Sequence, residues 1–233
     1  MRIYKDCKQA MNEIKRNLYE LGVEVFPHSF QNKVIKDNEE YKTKELQNEC
    51  FTISDTSDKD DIVKKENLPW CHTEFGERIS RRENNPGQAW LMRKSTWEPF
   101  LNNEKKMDYT YADRMKNQLD LVISELKKNP DSRQCVIDIH REEDIKYMGG
   151  KRRIPCSLNY IFQIRKDGNG VKRLNITYTM RSCDFYLHFP QDIWLAAELR
   201  DYIAKEVKVG SGLLTLNIAS LHMYKKDWET GVY

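Results

Sequence analysis

The chain has 233 residues, of which 39% are hydrophobic and 32% are charged, so it is long enough to bury the core of a globular domain. Its 39 Lys and Arg residues against 36 Asp and Glu residues give a net charge of +3 with the two signs interspersed. This pattern excludes the basic stripe that duplex nucleic acid requires. No apolar run approaches the roughly 18 residues of a membrane span, and the first ten residues lack a signal-peptide core. Six scattered cysteines predict reduced thiols in a cytoplasmic protein.

The first half of the chain predicts helices separated by polar segments. Residues 5–21 place apolar side chains on one helical face, and 112–127 do the same. Residues 31–67 are highly charged and are predicted to be a mobile insertion. Three tryptophans between 68 and 103 predict a packed wall, which alone indicates no function.

The second half predicts mainly strands. Period-two patterns occur in CVIDIH, LNYIFQI, LNITYTM and LLTLNIASLHMY, and residues 168–170, Gly-Asn-Gly, predict a hairpin turn. The strongest helical pattern spans 191–206. We therefore predict that residues 1–233 form a single α+β domain, in which helices pack on one side of a mostly antiparallel sheet.

A candidate nucleophile lies in residues 152–157, which read Arg-Arg-Ile-Pro-Cys-Ser. Two cations close to Cys156 would favour the reactive thiolate over the thiol, and Pro155 restricts the backbone that leads to it. Most cysteines are inert, however. From this hexapeptide alone, a buried structural cysteine beside solvated arginines remains the better-supported interpretation.

Two further segments carry candidate binding residues. In residues 180–184, Met-Arg-Ser-Cys-Asp, an arginine fork beside a hydroxyl suits a phosphate group, and an Arg181–Asp184 ion pair is the alternative. His222 and Tyr224 alternate on the last predicted strand, so both side chains point to the same face. They can hold a sugar hydroxyl or form an ordinary half-buried aromatic pair.

The order of these motifs resembles that of the thymidylate synthases and of related phage deoxycytidylate hydroxymethylases. The matching segments are Asn129-Pro130-Asp131-Ser132-Arg133, Pro155-Cys156, Arg181-Ser182-Cys183-Asp184, Asp192 and His222-Met223-Tyr224. Five motifs in order are far more specific than any one of them. The resemblance covers residues 107–228. Within that range it is weaker at residues 109–114, and ahead of it the resemblance at Glu74 is also weaker.

The resemblance implies a thymidylate synthase-like fold and transfer of a one-carbon unit from 5,10-methylenetetrahydrofolate to C5 of a pyrimidine nucleoside 5′-monophosphate. Cys156 would add to C6 and make C5 nucleophilic. Glu74, with water ordered by Tyr111, would move protons at the ring. Asp184 is placed with these catalytic residues through its motif.

The resemblance also implies the binding residues and a partner. Arg181 and Ser182 would hold the 5′-phosphate together with Arg133, which in this family comes from the other subunit of a homodimer. His222 and Tyr224 would contact the sugar.

Several positions depart from the family pattern. Ser157 follows the nucleophile where synthases usually have His, and Gln134 follows Arg133 where they usually have a second Arg. His188 replaces a usual glycine. His28 lies near the place where a further phosphate-binding arginine is expected.

Asp192 bears on the choice of base, because synthases acting on deoxyuridylate carry Asn there. An amide can pair with N3–H and O4 of uracil, whereas a carboxyl group can accept from the cytosine amino group and, when protonated, donate to N3. Asp192 therefore favours cytosine. The alternative is that Asp192 only caps a helix starting at Ile193.

The end of the chain bears on the product. Only eleven residues follow His222, whereas family synthases have a longer tail that closes over the folate. Without such closure, unless another loop such as 31–67 covers the site, water can attack the exocyclic methylene. The leading prediction is thus a hydroxymethylase that converts dCMP to 5-hydroxymethyl-dCMP. The alternatives are a thymidylate synthase that methylates dUMP and an inactive nucleotide- or RNA-binding relative, against which intact Cys156, Arg181 and His222 argue.

Overall fold

A computed structural model of the chain describes residues 2–30, 33–35 and 38–228. The strands are β1 (Arg2–Tyr4), β2 (Val23–Val25), β3 (Ser29–Phe30), β4 (Lys33–Val34), β5 (Thr43–Ile53), β6 (Val136–Asp138), β7 (Ser157–Lys166), β8 (Lys172–Met180), β9 (Cys183–Asp184) and β10 (Gly210–Tyr224). The helices are α1 (Cys7–Leu21), α2 (Leu68–Ile79), α3 (Lys94–Trp97), α4 (Tyr111–Met115), α5 (Leu119–Lys128), α6 (Glu142–Ile145), α7 (Phe189–Glu206) and α8 (Lys225–Trp228). The predicted α+β class is confirmed.

One sheet organises the fold, with strand order β1-β5-β10-β8-β7-β6 and with β2 and β9 paired to β5 and β10. The β2–β5, β5–β10, β7–β8 and β6–β7 ladders are antiparallel. β8 and β10 run parallel, as the crossover through α7 allows. The β1–β5 and β9–β10 ladders are also parallel, so the sheet is mixed with a majority of antiparallel ladders.

The structure corrects the prediction for residues 31–67. Residues 43–53 form β5, which lies between β1 and β10 in the sheet, so a loop is wrong there. The strand is rich in charged and polar residues, and Asn48 has a positive φ of 54° that interrupts the period-two pattern. This is why the segment resembled a loop. Part of the prediction lies outside the described residues, at positions 31, 32, 36 and 37.

The helix predicted over 112–127 is divided into α4 and α5. Thr110 caps α4 through its hydroxyl. Gln118, in the turn between the helices, donates to the Asp138 carbonyl at 2.7 Å and accepts from its amide at 2.9 Å. The turn is thereby tied to β6, and α4 becomes a separate short helix whose first residue, Tyr111, reaches the site described below.

Apolar side chains on one face of the sheet form the main core with α1, α5 and α7. The buried strand residues in this core include Tyr160, Phe162, Ile176, Tyr178, Leu214 and Leu216. The intervening side chains of β8 and β10 face the other way and are partly exposed; they include Thr177, Thr179, Thr215 and Asn217. The helices named here therefore pack on one side, as predicted. No helix among the described residues is long and apolar enough to cross a membrane.

Candidate active site

A pocket of about 320 Å³ lies where α2, α4 and the start of α7 meet β5 and β10. The predicted site residues that line it are Glu74, Tyr111, Cys156, Arg181, Ser182, Asp184, Asp192, His222 and Tyr224. Its volume falls within the range of small-molecule sites. Nine of the ten residues selected from separate motifs therefore meet in one cavity, and Arg133 is the exception.

Cys156 is placed beside Arg181 and Ser182 by the pairing of two strands. Cys156 immediately precedes β7 and Arg181 immediately follows β8, and Ser157 pairs with Met180 in that antiparallel ladder. The sulfur lies 3.6 Å from Arg181 Nη2 and 3.6 Å from Ser182 Oγ. A guanidinium and a hydroxyl at a thiol stabilise its ionised form, which is the nucleophile.

All six cysteines are free, as predicted, but they differ in environment. Burial raises the pKa of the Cys7 thiol, raises that of Cys71 to about 12, and raises that of Cys183 well above its usual value. Cys156 is partly exposed and lines the pocket, whereas Cys50 is exposed outside it. Among the six thiols, Cys156 combines access to the pocket with a neighbouring cation.

The cation at the sulfur is not one of the two that precede it in sequence. Arg152 pairs with Asp108. Arg153 packs its guanidinium against the rings of Trp97 and Tyr109, at 4.7 and 4.4 Å from their centroids. The prediction that adjacent arginines activate Cys156 is therefore corrected: the long side chains three and four residues before it have other partners, and Arg181 lies beside the thiol instead.

Glu74 lies on α2 in an ion pair that the sequence reasoning missed. Arg78, one helical turn later, donates from Nε to Glu74 Oε1 at 2.8 Å and is only 6% exposed. Its guanidinium carbon lies 3.9 Å from the centre of the Tyr111 ring. The i,i+4 spacing of Glu and Arg was a readable signal, since such pairs share a helix face. A buried cation thus fixes the carboxylate at this end of the pocket.

Three hydroxyl groups, those of Tyr111, Ser157 and Tyr178, form a chain of hydrogen bonds that leads from α4 into the sheet. Tyr111 Oη and Ser157 Oγ are 2.9 Å apart, and Ser157 Oγ also bonds with Tyr178 Oη. Burial raises the pKa of both phenols well above the usual value, so both remain protonated at neutral pH. The serine that replaces the family's usual histidine is therefore fully buried inside this chain of hydroxyl groups.

Asp192 faces the pocket from the first turns of α7. The helix begins at Phe189 with His188 at the cap position, and the Asp192 amide donates to the His188 carbonyl at 2.8 Å. The helix-capping alternative for Asp192 is therefore wrong. Burial raises the pKa of its carboxyl group to about 6, opposed by the positive charge of Arg78. Cys183 donates its thiol proton to Asp192 Oδ2 at 3.4 Å.

Asp184 organises the turn that leads into α7. Its Oδ1 accepts the backbone amides of Tyr186 and Leu187 at 3.0 and 3.1 Å, and it is only 6% exposed. An Arg181–Asp184 pair, the alternative raised from sequence, does not form: Arg181 instead binds the carbonyls of Pro155 and Ile154. Burial raises the pKa of Asp184 to about 6.

A pH-dependent contribution to stability follows for Asp184. Its pKa rises from 3.8 to about 6 on folding, so its contribution is full below pH 4 and is lost as the pH rises through 6. The wild-type protein should thus lose about 2 kcal/mol relative to Asp184→Asn between pH 4 and pH 7. Denaturant unfolding at several pH values measures this difference. A constant difference between the two proteins would contradict it.

His222 and Tyr224 lie on β10 and contact each other edge to face, with ring centres 5.2 Å apart. Burial lowers the pKa of His222 and raises that of Tyr224, so both rings are neutral at physiological pH. Glu45 on β5 and Ser220 on β10 line the same wall. They too were missed in the sequence reasoning, because their partnership depends on strand register.

The model of the thymidylate synthase family matches residues 40–231. The chain belongs to the thymidylate synthase family. A protein from Methanosarcina barkeri with thymidylate synthase in its name is 31% identical over 134 residues, which are 54% of this chain and 58% of that protein. A similarly named protein from Methanocaldococcus jannaschii is 35% identical over 124 residues, 52% of this chain and 54% of its own length.

A solved structure supports the thymidylate synthase fold. The thymidylate synthase from phage T4 matches with a TM-score of 0.71 at 20% identity, over 96% of this chain and 79% of that one. At this identity the match shows the fold alone. The matches to the archaeal proteins cover less than two thirds of their lengths.

The three tryptophans between 68 and 103 form part of the pocket wall of this family member. Trp70, Trp90 and Trp97 all line the cavity. Trp97 stacks on His188 with ring centres 6.2 Å apart, and Arg93 covers Trp70 at 3.8 Å. The packed wall predicted from the sequence therefore lines the same pocket as Cys156.

Arg133, which was predicted to hold the phosphate, lies outside the cavity, and so does His28, which lies near the place expected for a further phosphate-binding arginine. Arg133 is exposed and lies in a separate depression with its neighbours Asn129, Asp131, Ser132 and Gln134. His28 is exposed, although Pro27 and Ser29 on either side of it line the pocket. Within residues 2–30, 33–35 and 38–228, no three His, Cys, Asp or Glu side chains converge on a point where a metal ion could bind.

Proposed function

We propose that this protein transfers a one-carbon unit to C5 of a cytosine nucleoside 5′-monophosphate, converting dCMP to 5-hydroxymethyl-dCMP. The observation that carries the choice of base is Asp192, a pocket carboxyl group whose pKa is raised to about 6 by burial. The family membership supports the transfer itself. Methylation of dUMP is the second candidate, favoured by the names of the archaeal relatives.

Cys156 is proposed as the nucleophile that attacks C6. Addition of a thiolate to C6 moves electron density to C5, which then acts as a carbon nucleophile. Arg181 and Ser182, each 3.6 Å from the sulfur, support this role. They would stabilise the thiolate before attack and bind the 5′-phosphate of the nucleotide, as an arginine fork beside a hydroxyl allows.

Asp192 is proposed to read the N3 and N4 edge of cytosine. With its pKa near 6, the carboxyl group can share a proton with N3 while its other oxygen accepts from the amino group. Arg78 pairs directly with Glu74, and Asp192 has no such ion pair with a described residue. Burial favours the protonated form of Asp192, so this carboxyl group can supply the proton for N3.

Glu74, Arg78 and Tyr111 are proposed to manage proton transfer at the ring. The Arg78 ion pair orients the Glu74 carboxylate, and the Tyr111–Ser157–Tyr178 hydroxyl groups can order water beside it. Removal of the C5 proton needs a positioned base within reach of the ring. The lining of the pocket by both Glu74 and Cys156 supports this assignment.

The residues beside the nucleophile fit the cofactor that the family implies, 5,10-methylenetetrahydrofolate. Trp90, Trp97 and Leu187 line the pocket with apolar surface, and the Arg153 guanidinium packs over the Trp97 ring. Such surfaces suit a fused ring system. When bound there, the cofactor supplies the one-carbon unit; the residues named here would hold its rings and exclude water.

A homodimer is proposed because two surface features, Arg133 and one face of the sheet, have no assigned role within a single subunit. Arg133 lies away from the pocket of its own subunit, and one face of the sheet carries the partly exposed side chains of Thr177, Thr179 and Asn217. Pairing of two such faces would let Arg133 reach the partner's phosphate site. Sedimentation at several protein concentrations tests the assembly.

Mass spectrometry of the product tests the proposed reaction. The protein is incubated with methylenetetrahydrofolate and, separately, with dCMP, dUMP or CMP. We expect 5-hydroxymethyl-dCMP from dCMP, without formation of dihydrofolate. Formation of dTMP and dihydrofolate from dUMP, with no product from dCMP, would establish the second candidate instead.

Glu74→Gln tests the proposed base with little change in shape. The amide can still bond to Arg78 but cannot accept a proton, so we expect tritium release from C5-labelled dCMP to slow about 100-fold or more. Nucleotide binding, followed by calorimetry, should be retained. Glu98→Gln is the matched control, since it removes an exposed i,i+4 pair with Lys94. Equal rates in the two variants would remove Glu74 from the mechanism.

A further inference from the structure

Three polar side chains meet on the wall of the pocket where β5 pairs with β10. His222 lies opposite Glu45 in this ladder, and Ser220 precedes His222 by two residues on the same face. Ser220 Oγ is 2.5 Å from Glu45 Oε2 and 3.3 Å from His222 Nδ1. The other oxygen of Glu45 accepts from Gln47 Nε2 at 3.2 Å.

The protons in this cluster can be assigned from the donors available. A carboxylate only accepts hydrogen bonds, whereas a serine hydroxyl has one proton to donate. That proton goes to Glu45, so the contact between Ser220 Oγ and Nδ1 requires a hydrogen on Nδ1. The Ser220 backbone accepts from the His222 ring as well. Because burial lowers the pKa of His222, the ring is neutral and has a single N–H. Nε2 therefore carries a lone pair.

We infer that Glu45 and Ser220 are positioning residues that hold His222 as its Nδ1–H tautomer, so that Nε2 accepts a hydrogen bond from a sugar hydroxyl of the nucleotide. The opposite tautomer would present a donor and would favour a phosphate or carbonyl oxygen instead. This inference rests on the proposed nucleotide site and adds how one of its walls recognises the ligand. The hydroxyl group of Tyr224, on the adjacent ring, completes that wall.

Nitrogen NMR of the ¹⁵N-histidine-labelled full chain tests the tautomer directly, with the His222 signals assigned from their loss in His222→Gln. We expect an N–H at Nδ1 and an unprotonated Nε2 in the wild-type protein. Glu45→Ala should move the proton to Nε2, because Ser220 then has no carboxylate to donate to and its proton is free for Nδ1. Glu49→Ala, on the same strand but paired with Arg2, should leave the tautomer unchanged. A wild-type His222 protonated at Nε2 would overturn the inference.

Calorimetric binding tests the role of the hydroxyl group. Glu45→Ala and Ser220→Ala should each weaken dCMP binding about tenfold, as expected for one lost hydrogen bond. Both should leave the binding of 2′,3′-dideoxycytidine 5′-monophosphate unchanged, since that probe has no hydroxyl to donate. Equal losses for both nucleotides would overturn the hydroxyl role. If the wild-type protein bound neither nucleotide, the proposed function would fail, and the NMR result separates that failure from an error in the tautomer.

Discussion

Cys156→Ala is expected to reduce tritium release from C5-labelled nucleotide to background while the protein stays folded. Without a thiolate there is no addition to C6, and C5 never becomes acidic enough to exchange its hydrogen. The loss should appear for cytosine and uracil nucleotides alike, because both depend on the same addition. Scintillation counting of released water measures the rate, and near-UV circular dichroism measures the fold.

Cys50→Ala is the matched control for this prediction. Cys50 is exposed and lies on β5 outside the pocket lining, so its removal should change neither tritium release nor the spectrum. Because Cys156 is only partly buried, its replacement by alanine removes little core packing. Normal release from Cys156→Ala would exclude the thiol from the reaction and would leave the site as a binding pocket.

The sequence predicted the chemical groups of the site better than their neighbours. Cys156 and Arg181 lie next to strand ends and His222 lies on β10, and the pairing of these strands brings the three predicted residues into one cavity. The choice of Arg152 and Arg153 as activating cations failed because proximity along the chain does not determine where a long side chain finds its partner. Strand pairing placed Arg181, 25 residues later, at the sulfur instead.

The secondary-structure elements were likewise predicted where the sequence pattern was strong and missed where it was weak. Residues 191–206 and the last strand were predicted correctly, because α7 is apolar around most of its surface and β10 alternates apolar with polar residues. β5 was not, because its polar residues and the positive φ at Asn48 conceal its period. The role of Glu45 could not be predicted for the same reason: its contact with Ser220 depends on the register of a strand that the pattern did not reveal.

Asp192→Asn is expected to shift the ratio of kcat/KM for dCMP over dUMP towards dUMP by at least about 100-fold. The amide can donate to O4 and accept from N3–H of uracil, whereas the ionised carboxylate has no proton for O4 and leaves that oxygen unpaired. The helix begins three residues before Asp192, so the substitution removes no cap. Asp120→Asn, an exposed aspartate in the first turn of α5, is the matched control and should leave the ratio unchanged.

The pH dependence of the same ratio distinguishes base recognition from a general effect on the site. The wild-type carboxyl group has a pKa of about 6, so the protonated form that donates to N3 is populated below pH 6 and is lost above it. The kcat/KM for dCMP should therefore show a limb that falls as the pH rises through 6, because kcat/KM reports the ionisation of the free enzyme. Asp192→Asn has no titrating group at this position, so the limb should disappear. A limb that persists in the variant, or a ratio that does not change, would show that Asp192 does not read the base.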